Sequence, residues 1–116
     1  MKRTLYVYRY TTNPEAIKEF GSNFFVFKDK ILDEDESEYI LDIYEYIKKS
    51  MVDDAFNVMN ESSNTEINYT WFSLNNNKER MNKFKSLVKE RLTECENKIS
   101  EELNYIRNLI ANIEEK

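Results

Sequence analysis

The sequence predicts an α+β fold: a small three-stranded sheet packed with helices in β-α-β-α-β-α order, ending in a long C-terminal amphipathic helix. Three observations predict it. Residues 4–11, 23–28 and 65–74 either alternate or run apolar and are rich in β-branched and aromatic side chains, the pattern of strands. Helix-start signals stand between them. Residues 78–116 contain neither glycine nor proline, and their apolar residues recur at steps of three and four, the period of one helix face.

In the first strand Leu5 and Val7 fall on one side, and Tyr6, Tyr8 and Tyr10 on the other. Asn13-Pro14-Glu15 follows, a cap, a proline in the first helical position and an acid in the first turn. The short helix they start ends near Phe20, and Gly21, the single glycine, supplies a left-handed C-cap. Phe24 to Phe27 is a continuous apolar run and reads as a strand buried on both faces.

The acidic residues Asp33, Glu34, Asp35, Glu36 and Glu38 suit the positive end of a helix dipole. After them Ile40, Tyr44, Ile47, Met51, Ala55 and Val58 recur at helical spacing, predicting a middle helix of about six turns ended by Ser62, Ser63 and Asn64. Ile67, Tyr69, Thr70, Trp71 and Phe72 form the third strand. Asn75, Asn76 and Asn77 make a turn and offer a cap to the last helix, whose face carries Met81, Phe84, Val88, Leu92, Cys95, Ile99, Leu103, Ile106, Ile110 and Ile113. With no Pro/Gly/Ser linker and no repeat, 1–116 reads as one domain, with a body over 1–75 and the long helix over 76–116.

Length makes that helix informative. Nearly forty residues at 1.5 Å each span about 55 Å, whereas a compact body of 75 residues is roughly 25 Å across. The stripe Ile99, Leu103, Ile106, Ile110 and Ile113 is then left without cover from its own domain, the mark of an interaction surface. Homodimerisation through these five residues is the expectation. The alternative is a break near Thr93 to Ser100 that folds the segment back as an α-hairpin.

The usual means of catalysis are missing. Histidine is absent, and there is one cysteine and one glycine. Those counts remove the commonest general base, a Cys/His zinc set and glycine-rich phosphate loops. Cys95 sits on the apolar helix face and reads as a small buried hydrophobe. The acidic run fails as a calcium loop, since Glu38 stands sixth and Tyr44 twelfth where Gly and Glu are required. No cofactor, no metal and no enzymatic activity are expected.

Charge lies in blocks. Residues 29–62 carry a net of −8 and residues 78–91 a net of +4, within −5 overall. Such a balance opposes binding to a polyanion, so residues 78–91 are expected to pair with the acidic middle helix. A dimeric nucleic-acid-binding regulator that contacts phosphate through 78–91 is the alternative function. The first is a non-catalytic protein-binding module, with Asp33, Glu34, Asp35, Glu36, Glu38 and the tyrosines Tyr6, Tyr8 and Tyr10 as partner-binding candidates. The abundance of Asn, Lys, Ile, Tyr and Phe follows AT-rich codons. In size, acidity and this skew the chain resembles small phage and mobile-element proteins, which implies an inhibitor of a host enzyme or defence complex, with the acidic segment mimicking DNA phosphates. The start of the chain shows no secretory apolar stretch and no run reaches membrane-spanning length. The expected location is the cytoplasm of the native cell or an infected host.

Overall fold

Leu5 and Val7 are fully buried on one face of the first strand and Tyr8 on the other, which places that strand inside a sheet rather than at its edge. The computed structural model describes residues 3–61 and 66–114. In chain order it contains β1 (Arg3–Thr11), α1 (Pro14–Phe20), β2 (Phe24–Glu34), β3 (Glu38–Leu41), β4 (Tyr46–Lys48), a 3₁₀ turn (Lys49–Met51), β5 (Met59–Asn60), β6 (Asn68–Ser73) and α2 (Lys78–Glu114). The strands form one six-stranded antiparallel sheet in the order β4-β3-β2-β1-β6-β5, curled into a half-barrel.

This corrects the predicted three-stranded sheet with alternating helices. The predicted middle helix does not form: β3, β4, the 3₁₀ turn and β5 occupy that stretch. Ser62, Ser63 and Asn64, predicted to end that helix, lie outside the described residues, as do Thr65 at the start of the predicted third strand and Glu115 and Lys116 at the end of the last helix. The second strand is also longer than predicted. It continues past Lys28 through Asp29, which is fully buried, and Lys30, which faces out, to Glu34. The ladder to β3 shifts register between Ile31 and Asp33. Such a bulge bends a strand, so β2 pairs with β1 through residues 24–31 and then turns to receive β3.

Asp29 explains how a chain this charged closes its sheet. Its two carboxylate oxygens accept the backbone N–H groups of Ile43 at 2.8 Å and Tyr44 at 3.0 Å, in the turn joining β3 to β4. Glu45 in that turn takes a φ of 67°, so the reversal is tight and its donors need an acceptor from elsewhere. With the turn held, Tyr39, Leu41 and Ile47 pack with Leu5, Val7 and Phe72 in one core across the sheet's inner face.

The opposite face carries α2. Tyr8, Tyr69 and Trp71 meet Phe84, Leu87 and Val88 of the helix. The Trp71 and Phe84 rings stack at 6.2 Å, and Tyr8 lies 5.5 Å from one and 5.9 Å from the other. Asn77 caps the helix, accepting from the Arg80 N–H at 2.8 Å. Asp53, itself at a φ of 58°, holds the junction by accepting from the Ser73 hydroxyl and the Leu74 N–H.

At the other end of the chain the predicted signals of α1 are all realised. Asn13 Oδ1 accepts from Glu15 and Ala16, Pro14 stands in the first turn, and Gly21 closes the helix at a φ of 75°.

Burial raises the Tyr8 phenol above its ordinary value, and it raises Tyr69 likewise, with the Cys95 thiol beside Tyr69 adding to the effect. A folded-state pKa above the unfolded one means the folded state resists ionisation. Stability is therefore unaffected below the ordinary tyrosine value near 10 and falls as pH rises past it. In a spectrophotometric titration at 295 nm, two of the eight tyrosines should ionise late, together with alkaline unfolding. Titration of all eight as one exposed class would contradict this core.

Candidate functional site

The contact between α2 and the sheet ends early, and Cys95, predicted to be a small buried hydrophobe, is instead exposed at that limit with its thiol beside Tyr69. Leu92 is the last helix residue that is even partly covered, and every residue from Thr93 to Ile113 is exposed. At 1.5 Å per residue that free stretch is about 30 Å long. α2 is one continuous helix of 37 residues, so the fold-back at Thr93 to Ser100 does not occur. Thr93 Oγ1 bonds the carbonyl of Lys89 one turn back at 2.8 Å, a local bond that a helix interior accommodates.

The consequence shows in the dimensions. The molecule measures 73 × 35 × 25 Å and its radius of gyration is 18.8 Å, where a compact chain of this length would have about 13 Å. Its accessible surface is 8636 Å², against about 6,700 Å² for a compact monomer of this mass.

The free stretch is apolar along one line. Ile99 is 63% exposed, Ile106 51% and Ile113 74%, with Leu103 and Ile110 completing steps of four, three, four and three, and Leu109 and Tyr105 flanking them. Glu94, Glu96, Glu101 and Glu102, with Lys98, Arg107 and four asparagines, occupy most of the remaining surface. Full burial of each Ile or Leu contributes about 1.5–3 kcal/mol. Among the described residues nothing supplies that cover.

The acidic candidates have a structural role in a turn. Residues 33–38 are not a helix start; they span the end of β2, the turn and the start of β3. Asp35 Oδ1 accepts the N–H groups of Ser37 and Glu38, each at 2.8 Å, so Asp35 builds the turn. Those bonds hold its carboxyl below the usual range. Glu34 is paired with Lys49 at 2.6 Å and Arg3 at 2.5 Å, which lower its pKa as well. Asp33 accepts from the Glu34 N–H, while Glu36 is exposed and Glu38 half-buried.

The tyrosine candidates face α2. Tyr8 has no surface to offer a partner, its hydroxyl donating to the Asn75 carbonyl at 2.8 Å, and Tyr6 and Tyr10 pack against the same core. Here alternation that reads as a display of tyrosines is a face that α2 covers fully at Tyr8 and partly at Tyr6 and Tyr10.

The basic segment 78–91 is partly used up by the fold. Arg80 lies 3.6 Å from Asp53, Lys85 sits over the Phe24 ring, and Arg91 donates to the Phe56 carbonyl and lies 3.7 Å from Glu94. The predicted pairing with an acidic helix is corrected accordingly, since no such helix exists and the contacts are with loops, a ring and α2 itself.

Sequence reasoning missed one surface. Between α1 and the inner face of the sheet lies an open groove of about 500 Å³, lined among others by Arg9, Glu19, Phe20, Phe25 and Glu66. Phe20 stacks on Phe25 at 4.1 Å, and the row continues through Phe27 to Tyr44. The signal was present in Phe25 and Phe27, which share one side of a strand. Arg9 is engaged there with the Tyr44 hydroxyl at 2.9 Å.

Among the described residues no group of three or more His, Cys, Asp or Glu side chains comes together to hold a metal ion, and no helix is long and apolar enough to cross a membrane. No protein-family model, curated protein or solved structure matches the chain.

Proposed function

We propose that this protein is a non-catalytic protein-binding module whose docking element is the free half of α2, with the curled sheet serving as the body that holds it out. One observation carries the reading. A rigid helix, anchored through Phe84, Leu87 and Val88, extends about 30 Å beyond its own domain with Ile99, Leu103, Ile106, Ile110 and Ile113 in line and uncovered. An apolar helical face at three- and four-residue steps is what another helix or a groove recognises. A cytoplasmic setting fits the single cysteine, and the acidic, AT-skewed composition fits an inhibitor that occupies a host protein. The acidic turn is a poorer docking element by comparison, because Glu34 and Asp35, though exposed, are already engaged by Lys49, Arg3 and the turn's own N–H groups.

The test is a paired substitution, Leu103→Glu with Ile110→Glu. Two carboxylates in an apolar seam should weaken association by about 100-fold or more, as read by co-purification from cells and by sedimentation. The body should be unaffected, because both sites are exposed and exposed sites away from the core change stability by only about 0.5 kcal/mol. Association as strong as that of the unsubstituted chain would sink the proposal.

A further inference from the structure

We infer that the occupant of this stripe is a second copy of the chain, laid antiparallel, with Ile99 of each copy opposite Ile110 of the other. The inference rests on the proposed docking role of α2 and adds the partner, the direction and the register.

Direction follows from where the body hangs. Met81, Phe84, Val88 and Leu92 face the sheet. The same steps of three and four carry on through Cys95 to Ile99, Leu103, Ile106, Ile110 and Ile113. At 3.6 residues per turn these positions stay within a narrow sector, so the stripe and the body lie on one side of the helix. In a parallel pair, both bodies would have to sit between two helices that pack 8–10 Å apart. The molecule is 25 Å across at its thinnest, and that gap cannot hold them. An antiparallel pair sends the two bodies to opposite ends.

Register follows from length and charge. With Ile99 opposite Ile110 of the second copy, Leu103 meets Ile106, and Ile113 reaches the level of Glu96. The second helix, whose described end is Glu114, then reaches the level of Cys95, just short of the covered residue Leu92. One heptad further in, its tip would run into the sheet. One heptad further out, the two Arg107 side chains would meet. In the favoured register Arg107 lies beside Ser100 and Glu102 beside Leu109, so no like charges face each other.

The area is compatible with such a pair. The chain exposes about 1,900 Å² more than a compact monomer of its mass would, on all sides of the projecting helix, and a standard interface takes about 800 Å² from each partner.

The experiment uses the full chain with Cys95→Ser, carrying either Ile99→Cys or Ile110→Cys, under mild oxidation by diamide, which accepts two electrons and two protons for each disulfide formed. In the inferred pair the two copies of residue 99 are about 16 Å apart along the axis, as are the two copies of residue 110, beyond the roughly 7 Å that a disulfide bridges. Neither variant alone should cross-link, whereas their mixture should give a covalent dimer. Nitroxides on Cys95 of the otherwise unaltered chain give a second reading: roughly 30 Å between labels for the antiparallel pair, against neighbouring labels for a parallel one. Self-cross-linking of either variant, or a short label distance, overturns the arrangement while leaving α2 a docking element. A purely monomeric mass for the unaltered chain at tens of micromolar overturns the second copy as occupant. The proposed function would then stand or fall on the glutamate pair.

Discussion

Replacing Trp71 with alanine should lower stability by about 3–5 kcal/mol, the usual cost of emptying a fully buried aromatic site. The ring is fully buried and stacks on Phe84 at an interplanar angle of 6°, and its Nε1 donates to the Asp54 carbonyl at 2.8 Å. Alanine leaves a hole bounded by Tyr8 and Phe84 on two elements that cannot close it, because one is a central strand and the other a helix fixed at its cap. For a chain of this size the melting temperature should drop by about 10–20 °C. Trp71→Phe keeps a ring against Phe84 and loses the N–H, so its cost should be clearly smaller. Urea denaturation followed by far-ultraviolet circular dichroism measures both. A change below about 1 kcal/mol for the alanine variant would show that α2 is not seated on the sheet as described.

That seating is what would fit the free half of the helix for the proposed docking role. A projecting helix of this length is only marginally stable in water on its own. Here its first turns are held by a cap at Asn77 and by the aromatic cluster, so the remainder propagates from a nucleus already formed. The stripe is thereby presented in one conformation, and a partner need not supply the cost of ordering it.

Sequence and structure agree where local chemistry decides the outcome. Asn13, Pro14 and Gly21 fix a short helix because each supplies a bond or a dihedral angle that its position requires, whatever surrounds it. The long helix was legible for a similar reason, since no residue in it favours a stop. The stretch from Glu38 to Asn60 was not legible. Ile40, Tyr44, Ile47, Met51, Ala55 and Val58 stand at helical spacing, yet two short strands separated by a turn produce the same series. In the structure Tyr39, Leu41 and Ile47 point inward and Ile40 points out. The richness of this segment in isoleucine and tyrosine favoured strands, and the acids before it make a turn through Asp35.

The candidate site divides the same way. Exposure of the stripe could be argued from length alone. That the near half of the same helix face is covered by the sheet, on which the inferred direction of pairing rests, required the positions of Phe84 and Val88. The tyrosines misled because alternation says which residues share a face, and says nothing about which face is covered.

Asp29 is the residue on which the unforeseen half of the fold turns, and Asp29→Ala should cost about 2–4 kcal/mol. Leaving a buried donor without its acceptor costs about 1–3 kcal/mol, and two donors depend on this carboxylate, the N–H groups of Ile43 and Tyr44. Ile43 is 58% exposed, so water can replace part of the bond to its N–H, which keeps the sum below the maximum. Asp29→Asn retains one carbonyl oxygen and turns an amide N–H₂ toward the second donor. Its cost should fall between those of wild type and alanine. The loss should be local in its first effects: hydrogen exchange at Ile43 and Tyr44 should accelerate before exchange at Leu5 or Val7, because the turn opens while β1 stays paired on both sides. The turn is also what brings Tyr39, Leu41 and Ile47 over Phe72. A variant lacking the carboxylate that kept both its stability and the protection of those two amides would mean that the curl of the sheet is held by packing alone, and that the buried charge has a different reason to be there.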